Sequence, residues 1–403
     1  MIFGWLKPTN LLSMKPPKNP YSFELESGRL DIEVERAELP FPDLCAVASR
    51  LNAKRPFIFI SKVLGKHWPT TPQIMSQTYK DLARELGPLK EPALFIAMAE
   101  TAIGFGRGVF AAYGSLRPSN IILFSQTTRY NLEKPLAFQI DELHSHARDH
   151  LIYWPETPEA RKLFQEAQTL VLIDDEISTG RTLLGLVKAY ADLVGPKKSL
   201  GSKKTVWVSL TNWLSPESRE SLKSQSPFEL SFVDLLAGQF QFTPSEKADP
   251  LALTSPARSV GDGRPLGSLL AANYGRLGLT LPQAQKLDQK ARELGATLNP
   301  VANRVRVIGA GEFLYEPYTI AQTLESRGFE VSFQATTRTP LALGGAISQR
   351  LAFLDNYGEG LDNFLYNAEP NFAGQTYLVL EAPPDPKLLD LLSGQFRAEA
   401  LVL

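Results

Sequence analysis

A single cysteine, Cys45, among 403 residues leaves no partner for an internal disulfide and no multi-cysteine zinc site, and it suits a reducing compartment. An excess of one charge is also missing: 42 Lys and Arg stand against 43 Asp and Glu, a formal net charge of -1. That balance excludes gripping DNA or an anionic bilayer by bulk charge, so neither a nucleic-acid nor a membrane partner is expected. No apolar run approaches the roughly 18–20 residues that a spanning helix needs. The opening Met1-Ile2-Phe3-Gly4-Trp5-Leu6-Lys7-Pro8 has a short apolar core and no leading basic residue, a poor signal peptide. Internal repeats and low-complexity tracts are absent. A cytoplasmic protein is expected. What the chain has is core material, with 43% hydrophobic against 21% charged residues. At roughly 100–200 residues per domain, its length implies two or three domains.

Pro8, Pro16, Pro17 and Pro20 make residues 1–20 a loosely ordered lead-in. Strand and helix then alternate. Phe57–Ile60, Leu94–Met98, Ile121–Phe124, Leu170–Ile173 and Val206–Leu210 read as buried strands. Met75, Tyr79, Leu82 and Leu86 recur at helical spacing until Gly87-Pro88, and a charged helix runs from Pro158 to Gln168. Leu183, Leu186, Val187, Tyr190 and Val194 mark a further helix, closed by Gly195-Pro196. This order predicts an α/β fold with a parallel sheet over 21–245. Between Thr243 and Gly267 the prolines 244, 250, 256 and 265 break all periodicity, so 246–270 reads as a linker. A second, Rossmann-like α/β domain is expected over 271–403. Its elements are a helix bearing Ala284, Leu287, Ala291 and Leu294, strands at Val305–Ile308, Phe329–Gln334 and Tyr377–Glu381, and a helix at about Pro317–Arg327.

The stretch Leu170-Val171-Leu172-Ile173-Asp174-Asp175-Glu176-Ile177-Ser178-Thr179-Gly180-Arg181-Thr182 carries the most chemistry. Two carboxylates stand at the carboxyl end of a buried strand, where open α/β sheets bind ligands. A hydroxyl- and glycine-bearing turn then opens a helix, and its N–H groups with the helix dipole make an anion site. Such a pair suits a sugar phosphate: acids for the ribose hydroxyls, the turn for the phosphate. An ordinary strand with an acidic cap is the bland alternative. The Lys-bearing loop of nucleoside triphosphatases is absent.

This stretch resembles the PRPP-binding signature of the type I phosphoribosyltransferases, with Arg181 where a small residue is common. Ala97-Met98-Ala99-Glu100-Thr101-Ala102-Ile103-Gly104-Phe105-Gly106 is similar to the pyrophosphate loop of orotate phosphoribosyltransferases, and Lys54–Lys62 to their base-recognition segment. A plain strand-to-helix turn and a solvated basic turn are the respective alternatives. The segment from Thr127 to His150 is similar to the mobile catalytic loop of that superfamily, with Arg129 as its phosphate contact. His146 and His150 would share a helical face there, but no third ligand is evident and no zinc site is expected. Together with Ser61–His67, Gly311–Tyr315, Asp355–Gly358 and Thr337-Arg338-Thr339-Pro340, these segments resemble a narrower family. It comprises the phosphoribosyltransferase-like proteins of bacterial tellurite-resistance gene clusters, whose second domain is named for a Thr-Arg-Ser-Pro motif.

That resemblance implies a Mg²⁺-dependent transfer between PRPP and a base-like acceptor in the biosynthesis of a nucleotide-like metabolite. Asp174, Asp175 and Arg129 would be catalytic, while Glu176, Ile177, Ser178, Thr179, Gly180, Arg181 and Thr182, with Glu100, Thr101, Ala102 and Ile103, would bind PRPP. No dedicated protein cage for the metal is expected. A PRPP-sensing regulator or scaffold without chemistry is the rival reading, and a homodimer is allowed. In the second domain, Val305–Gly311 invites a dinucleotide reading, but the third glycine of that fingerprint falls at Leu314. Thr336, Thr337, Arg338 and Thr339 make poor core and good anion ligands. The alternative for Arg338 is a structural pairing with an acid such as Asp355.

Overall fold

The computed structural model describes residues 21–52, 55–119, 121–140, 150–195, 203–245, 263–369, 371–386, 388–390, 394 and 398–403. In chain order, the first half runs β1 (Tyr21–Leu25), β2 (Gly28–Ala37), α1 (Phe41–Leu44), β3 (Cys45–Ser49), β4 (Phe57–Ser61), α2 (Pro72–Glu85), β5 (Ala93–Ala97), α3 (Ala102–Leu116) and β6 (Ile122–Gln126). It continues with β7 (Leu136–Ile140), β8 (His150–Tyr153), α4 (Pro158–Glu166), β9 (Thr169–Ile173), β10 (Glu176–Ile177), α5 (Arg181–Val194), β11 (Lys204–Asn212), α6 (Pro216–Gln225) and β12 (Glu229–Pro244). The second half holds β13 (Leu279–Thr280), α7 (Leu281–Thr297), β14 (Arg304–Gly309), α8 (Tyr315–Ser326), β15 (Glu330–Ala335), β16 (Arg350–Leu354), β17 (Asp362–Tyr366), β18 (Gln375–Leu380) and β19 (Ala398–Val402).

The main sheet has the order β1-β2-β12-β11-β9-β5-β6-β13, with β10 beside β11. Its centre is parallel: β12, β11, β9, β5 and β6 pair in one direction, as the alternation of strand and helix predicts. Every residue of β5, β6 and β9 is buried, which explains their continuous apolar character: both faces are covered by helices. Each fully buried Leu, Ile or Val there contributes about 1.5–3 kcal/mol, so these strands dominate the core. β12 was not expected at its full length. Its first part runs parallel to β11, then it turns at an irregularity between Ala237 and Gly238 and continues antiparallel to β2.

Helix α2 begins as its sequence demands: the Thr71 hydroxyl accepts the Ile74 N–H at 3.2 Å, Pro72 opens the first turn, and Met75, Tyr79 and Leu82 face inward. For helix α3 the sequence marks only the strand-to-helix turn that opens it. Its glycines lower helix propensity, yet they are there for close packing. A Cβ at Gly108 would lie 2.3 Å from the Tyr79 ring of α2, and one at Gly104 would lie 2.8 Å from Leu314 of the second half.

A second parallel sheet, β15-β14-β18-β19, carries the C-terminal half. The two halves are less separate than composition suggests. β13 pairs antiparallel with β6 of the main sheet, and α8 packs on α2 and α3. Thr70 and Phe333 exchange backbone hydrogen bonds at 3.1 and 2.7 Å, and one hydrophobic core includes residues of both halves. Residues 263–270, assigned to the linker on composition, bury Leu266 and Leu270 against Tyr130 and Tyr153. The expected lead-in 1–20 lies outside the described residues, as does 246–262. Among the described residues, no helix is long and apolar enough to cross a membrane.

Candidate functional site

The carboxyl ends of β5, β6 and β9 are laced together. The Met98 N–H donates to the Ile173 carbonyl at 2.9 Å, Thr127 N–H to Ala97 at 2.9 Å, and Ala99 N–H to the Thr127 hydroxyl at 2.7 Å. Three of the loops singled out from sequence therefore open from one edge of the sheet, the edge where such sheets bind ligands.

Asp174 and Asp175 stand where β9 ends. The Asp174 N–H is held by the Val208 carbonyl at 3.0 Å, and the Asp175 carbonyl accepts from Leu210 at 3.2 Å. The Asp175 N–H donates to its neighbour's Oδ1 at 3.0 Å. Withdrawal from water and the adjacent Asp175 push the Asp174 carboxyl well above its usual range. Desolvation and the charge of Glu176 raise Asp175 to about 6, against which Asp174 and Arg55 act. Three acids crowd one strand end, and among the described residues only Glu176 has a cation in contact: Arg55, whose guanidinium also lies 5.0 Å from the centre of the Phe57 ring. Arg55 belongs to the segment likened to base recognition, and Lys54 lies outside the described residues.

The turn then delivers its donors. Ile177 is buried beside Asn212, with its carbonyl accepting from Trp213 at 2.8 Å, while Ser178 and Thr182 are half-buried and Thr179 and Arg181 exposed. Gly180 has φ +67°, and a Cβ there would lie 2.8 Å from both Trp207 and Leu222. The N-cap Gly180 has no side chain to cap α5 and the Arg181 N–H makes only a long 3.5 Å bond to the Thr179 hydroxyl, so the other first-turn N–H groups and the positive end of the dipole face a ligand.

The Glu100 loop leads from β5 into α3, with Ala102 and Ile103 buried and Thr101 half-buried. The Ala99–Glu100 peptide is cis. Glu100 takes a charged hydrogen bond from Lys66, a lysine only 2% exposed, which also donates to the Gly311 carbonyl at 3.2 Å. Arg129 follows β6. Its N–H donates to Glu312 Oε1 at 3.0 Å, and the neighbouring Thr128 hydroxyl donates to Oε2 at 2.6 Å. The rest of the expected catalytic loop is an arm of two antiparallel strands, β7 and β8, and residues 141–149, with His144 and His146, lie outside the described residues. His150 opens a strand rather than standing on a helix, and its Nδ1 lies 2.9 Å from the Thr127 hydroxyl. Among the described residues, no group of three His, Cys, Asp or Glu could hold a metal ion.

The 336–339 segment follows β15. Thr336 accepts the Gly311 N–H at 3.0 Å, Thr337 exchanges backbone bonds with Phe364, and the Thr339 N–H donates to the Thr337 hydroxyl at 3.2 Å. Arg338 reaches Glu359 at 3.2 Å rather than Asp355, whose carboxylate is occupied by the N–H groups of Tyr357, Glu359 and Leu361. The Arg338 guanidinium lies 4.9 Å from the centre of the Tyr130 ring and lines a small pocket with Gly311, Thr336 and Tyr357. Burial works against its charge, while Tyr130 and then Glu100, Glu359 and Glu312 favour it. Arg338 thus feels the Glu100 loop, to which Lys66 and Gly311 connect it.

Sequence reasoning assigned no role to Lys66, Glu312, Arg276 or Tyr130. Arg276 is forked by Glu381 at 2.7 and 2.8 Å, donates from Nε to Glu312 at 2.9 Å, and lies 5.1 Å from the centre of the Tyr130 ring. Lys66 and Glu312 fall inside segments that carried the family resemblance, and that was their only signal.

Residues 44–239 match a family described as phosphoribosyl transferase, and residues 273–396 match the TRSP domain described as C-terminal to it. Similar solved structures include the APRTase from Giardia lamblia complexed with 9-deazaadenine, at 13% identity and TM-score 0.28, over 41% of this chain and 80% of that one. The hypoxanthine phosphoribosyltransferase from Trypanosoma cruzi, in complex with the product IMP, is similar at 15% identity and TM-score 0.24, over 44% and 82%. That from Staphylococcus aureus is similar at 16% identity and TM-score 0.24, over 39% and 71%. No curated protein matches the chain in sequence.

Proposed function

Because residues 44–239 belong to the phosphoribosyl transferase family and residues 273–396 to the TRSP domain that follows it, we propose that this chain transfers a phosphoribosyl group between PRPP and a base-like acceptor. The observation that carries the proposal is the joining of three loops at one sheet edge: the Asp174–Thr182 turn, the Glu100 loop and the Thr127–Arg129 segment. In the reaction, a nitrogen of the acceptor forms a bond to ribose C1, the bond from C1 to the pyrophosphate oxygen breaks, and its electron pair leaves with pyrophosphate. A proton from the acceptor nitrogen passes to solvent or a base.

Asp174 and Asp175 would accept from the ribose hydroxyls and fix C1 in line for attack. The amides of 177–182 would hold the 5′-phosphate, and Thr179 and Thr182 would add hydroxyl donors. Amides of residues 100–103 and the Arg129 guanidinium would face the leaving pyrophosphate. Magnesium fits this donor set: a hard cation takes carboxylate oxygen, and two crowded acids with raised pKa are relieved by one. When bound, it would supply charge neutralisation to the leaving pyrophosphate. Asp174 and Asp175 would hold it jointly with substrate oxygens.

The biosynthetic role, the link to tellurite resistance and the cytoplasmic site of action belong to the same proposal. One observation favours the sensor reading: Thr128 and Arg129 are anchored to Glu312, whereas a catalytic loop must close. The test is magnesium-dependent release of pyrophosphate from PRPP across a panel of bases. Release with at least one base supports transfer, and tight PRPP binding without release supports the sensor.

A further inference from the structure

An acid stands at the pyrophosphate end of the site. Glu100 belongs to the loop whose amides, on the transfer reading, would face the leaving pyrophosphate, and its side chain is only 14% exposed. A carboxylate there repels pyrophosphate at close range, and a site largely shut off from water screens the repulsion poorly. Unopposed, one such charge a few ångströms away lowers pyrophosphate affinity by about tenfold or more. The local sequence offers no counter-charge. Between Lys90 and Arg107 the chain has neither lysine nor arginine, and Arg107 is committed to Asp288.

The cation comes from the seam between the halves. Lys66, buried, donates to the Glu100 carboxylate and to the Gly311 carbonyl at 3.2 Å. Burying an ammonium is costly unless it is both paired and hydrogen-bonded, and here each half of the molecule supplies one of the two groups. The segment that carries Lys66 is fixed on the second sheet. The Ala335 N–H donates to the Gly65 carbonyl at 2.8 Å, and a Cβ at Gly65, φ +73°, would lie 2.5 Å from the Phe333 ring. Gly311 is fixed in turn, its N–H donating to the Thr336 hydroxyl at 3.0 Å. The charge of Glu100 also favours that of Arg338, but the Arg338 bond goes to Glu359. Among the described residues, Lys66 is the one cation in contact with Glu100.

We propose that Lys66 is a positioning residue for the pyrophosphate end of the site: anchored on Gly311 of the second half, it cancels the Glu100 charge and holds the loop's amides toward the leaving group. The inference rests on the reading of this sheet edge as a PRPP site, and it holds for a catalyst and a sensor alike. It gives the C-terminal half a part in substrate binding without a substrate contact. An ion pair kept for stability alone would be indifferent to which ligand arrives, whereas a charge placed for pyrophosphate is not.

The experiment titrates the full chain calorimetrically, with magnesium and no acceptor base, against PRPP, inorganic pyrophosphate and ribose 5-phosphate. Pyrophosphate probes the Glu100 loop, and ribose 5-phosphate probes the 174–182 turn. Lys66→Met should bind PRPP and pyrophosphate about tenfold or more weakly, with a much smaller change for ribose 5-phosphate. Adding Glu100→Gln to Lys66→Met should restore most of the loss, because it removes the bare charge and creates no contact. Pyrophosphate binding in Lys66→Met equal to wild type, or a folded double variant no better than the single one, would overturn the assignment. If circular dichroism shows that Lys66→Met does not fold, Glu100→Gln alone decides. It should bind pyrophosphate at least as tightly as wild type, since Lys66 then adds an unopposed positive charge, and a tenfold loss would overturn the proposal. A wild-type chain that binds neither PRPP nor ribose 5-phosphate overturns the PRPP reading itself and this inference with it, before any variant is made.

Discussion

Glu312 Oε2, in the C-terminal half, accepts the hydroxyl of Thr128, in the N-terminal half, at 2.6 Å. The same carboxylate takes the Arg129 N–H and the Arg276 guanidinium, and Glu312, Thr128 and Arg276 are all buried. The second domain thereby fixes the start of the segment proposed to face pyrophosphate. Glu312→Ala leaves Thr128 without its acceptor and Arg276 with one carboxylate fewer. Removing one partner of a buried charged group costs on the order of 3–5 kcal/mol. The urea midpoint should fall accordingly. An unchanged midpoint would show that the contact carries no such weight.

A second joint can be weighed against a control whose arginine is exposed and whose acid is half-buried. Arg107, 1% exposed, donates to Asp288 at 2.6 Å and ties α3 to α7, while Arg84 and Asp81 meet at the same 2.6 Å on the surface of α2. Equal distance does not mean equal energy. Asp288→Ala strands a buried guanidinium and should cost about 3 kcal/mol or more, whereas Asp81→Ala should cost under about 1 kcal/mol. Parallel denaturant titrations of the two variants check the contrast, and similar losses would contradict it.

Gly180 opens α5 at φ +67° with Trp207 and Leu222 against its α-carbon. An alanine there is strained by its backbone and by its neighbours at once. Gly180→Ala should lose about 1–3 kcal/mol of stability and displace the first-turn amides. A drop in both melting temperature and PRPP affinity, measured calorimetrically, is the expected result.

The acid pair makes stability depend on pH. Asp175 is raised to about 6 and Asp174 well above its ordinary value, so the folded chain keeps protons that the unfolded chain releases near pH 3.8. A state that binds more protons loses stability as they leave, so this contribution declines as pH rises from about 4 through 6 and beyond. The double change Asp174→Asn with Asp175→Asn should therefore melt a few degrees above wild type near pH 7.5, with the gap narrowing near pH 5. Thermal scans at both values test the sign.

Much of this was legible where the information is local. Met75, Tyr79 and Leu82 announce α2, and the Asp174–Thr182 stretch is one continuous run of strand, acids and turn. Helix α3 was not legible, because Gly104 and Gly108 weaken helix propensity for the sake of Leu314 and Tyr79, residues far away in the chain. β12 hid because it changes partner at Gly238, so its two parts follow different neighbours. Lys66 and Gly311 are separated by 245 positions, and no periodicity could pair them. Arg338 does pair with an acid, as its structural alternative has it, but with Glu359 and not with Asp355, for a related reason. Three backbone N–H groups claim that carboxylate, and Glu359 is left for the guanidinium.

The central claim is that Asp174 and Asp175 orient PRPP for transfer, and one measurement reaches it most directly. Pyrophosphate release from PRPP with magnesium is followed across a panel of bases, for the wild type and for the variant with both acids changed to Asn. The account predicts release by the wild type with at least one base and loss of turnover in a variant that still folds. Turnover in the variant equal to wild type would contradict it.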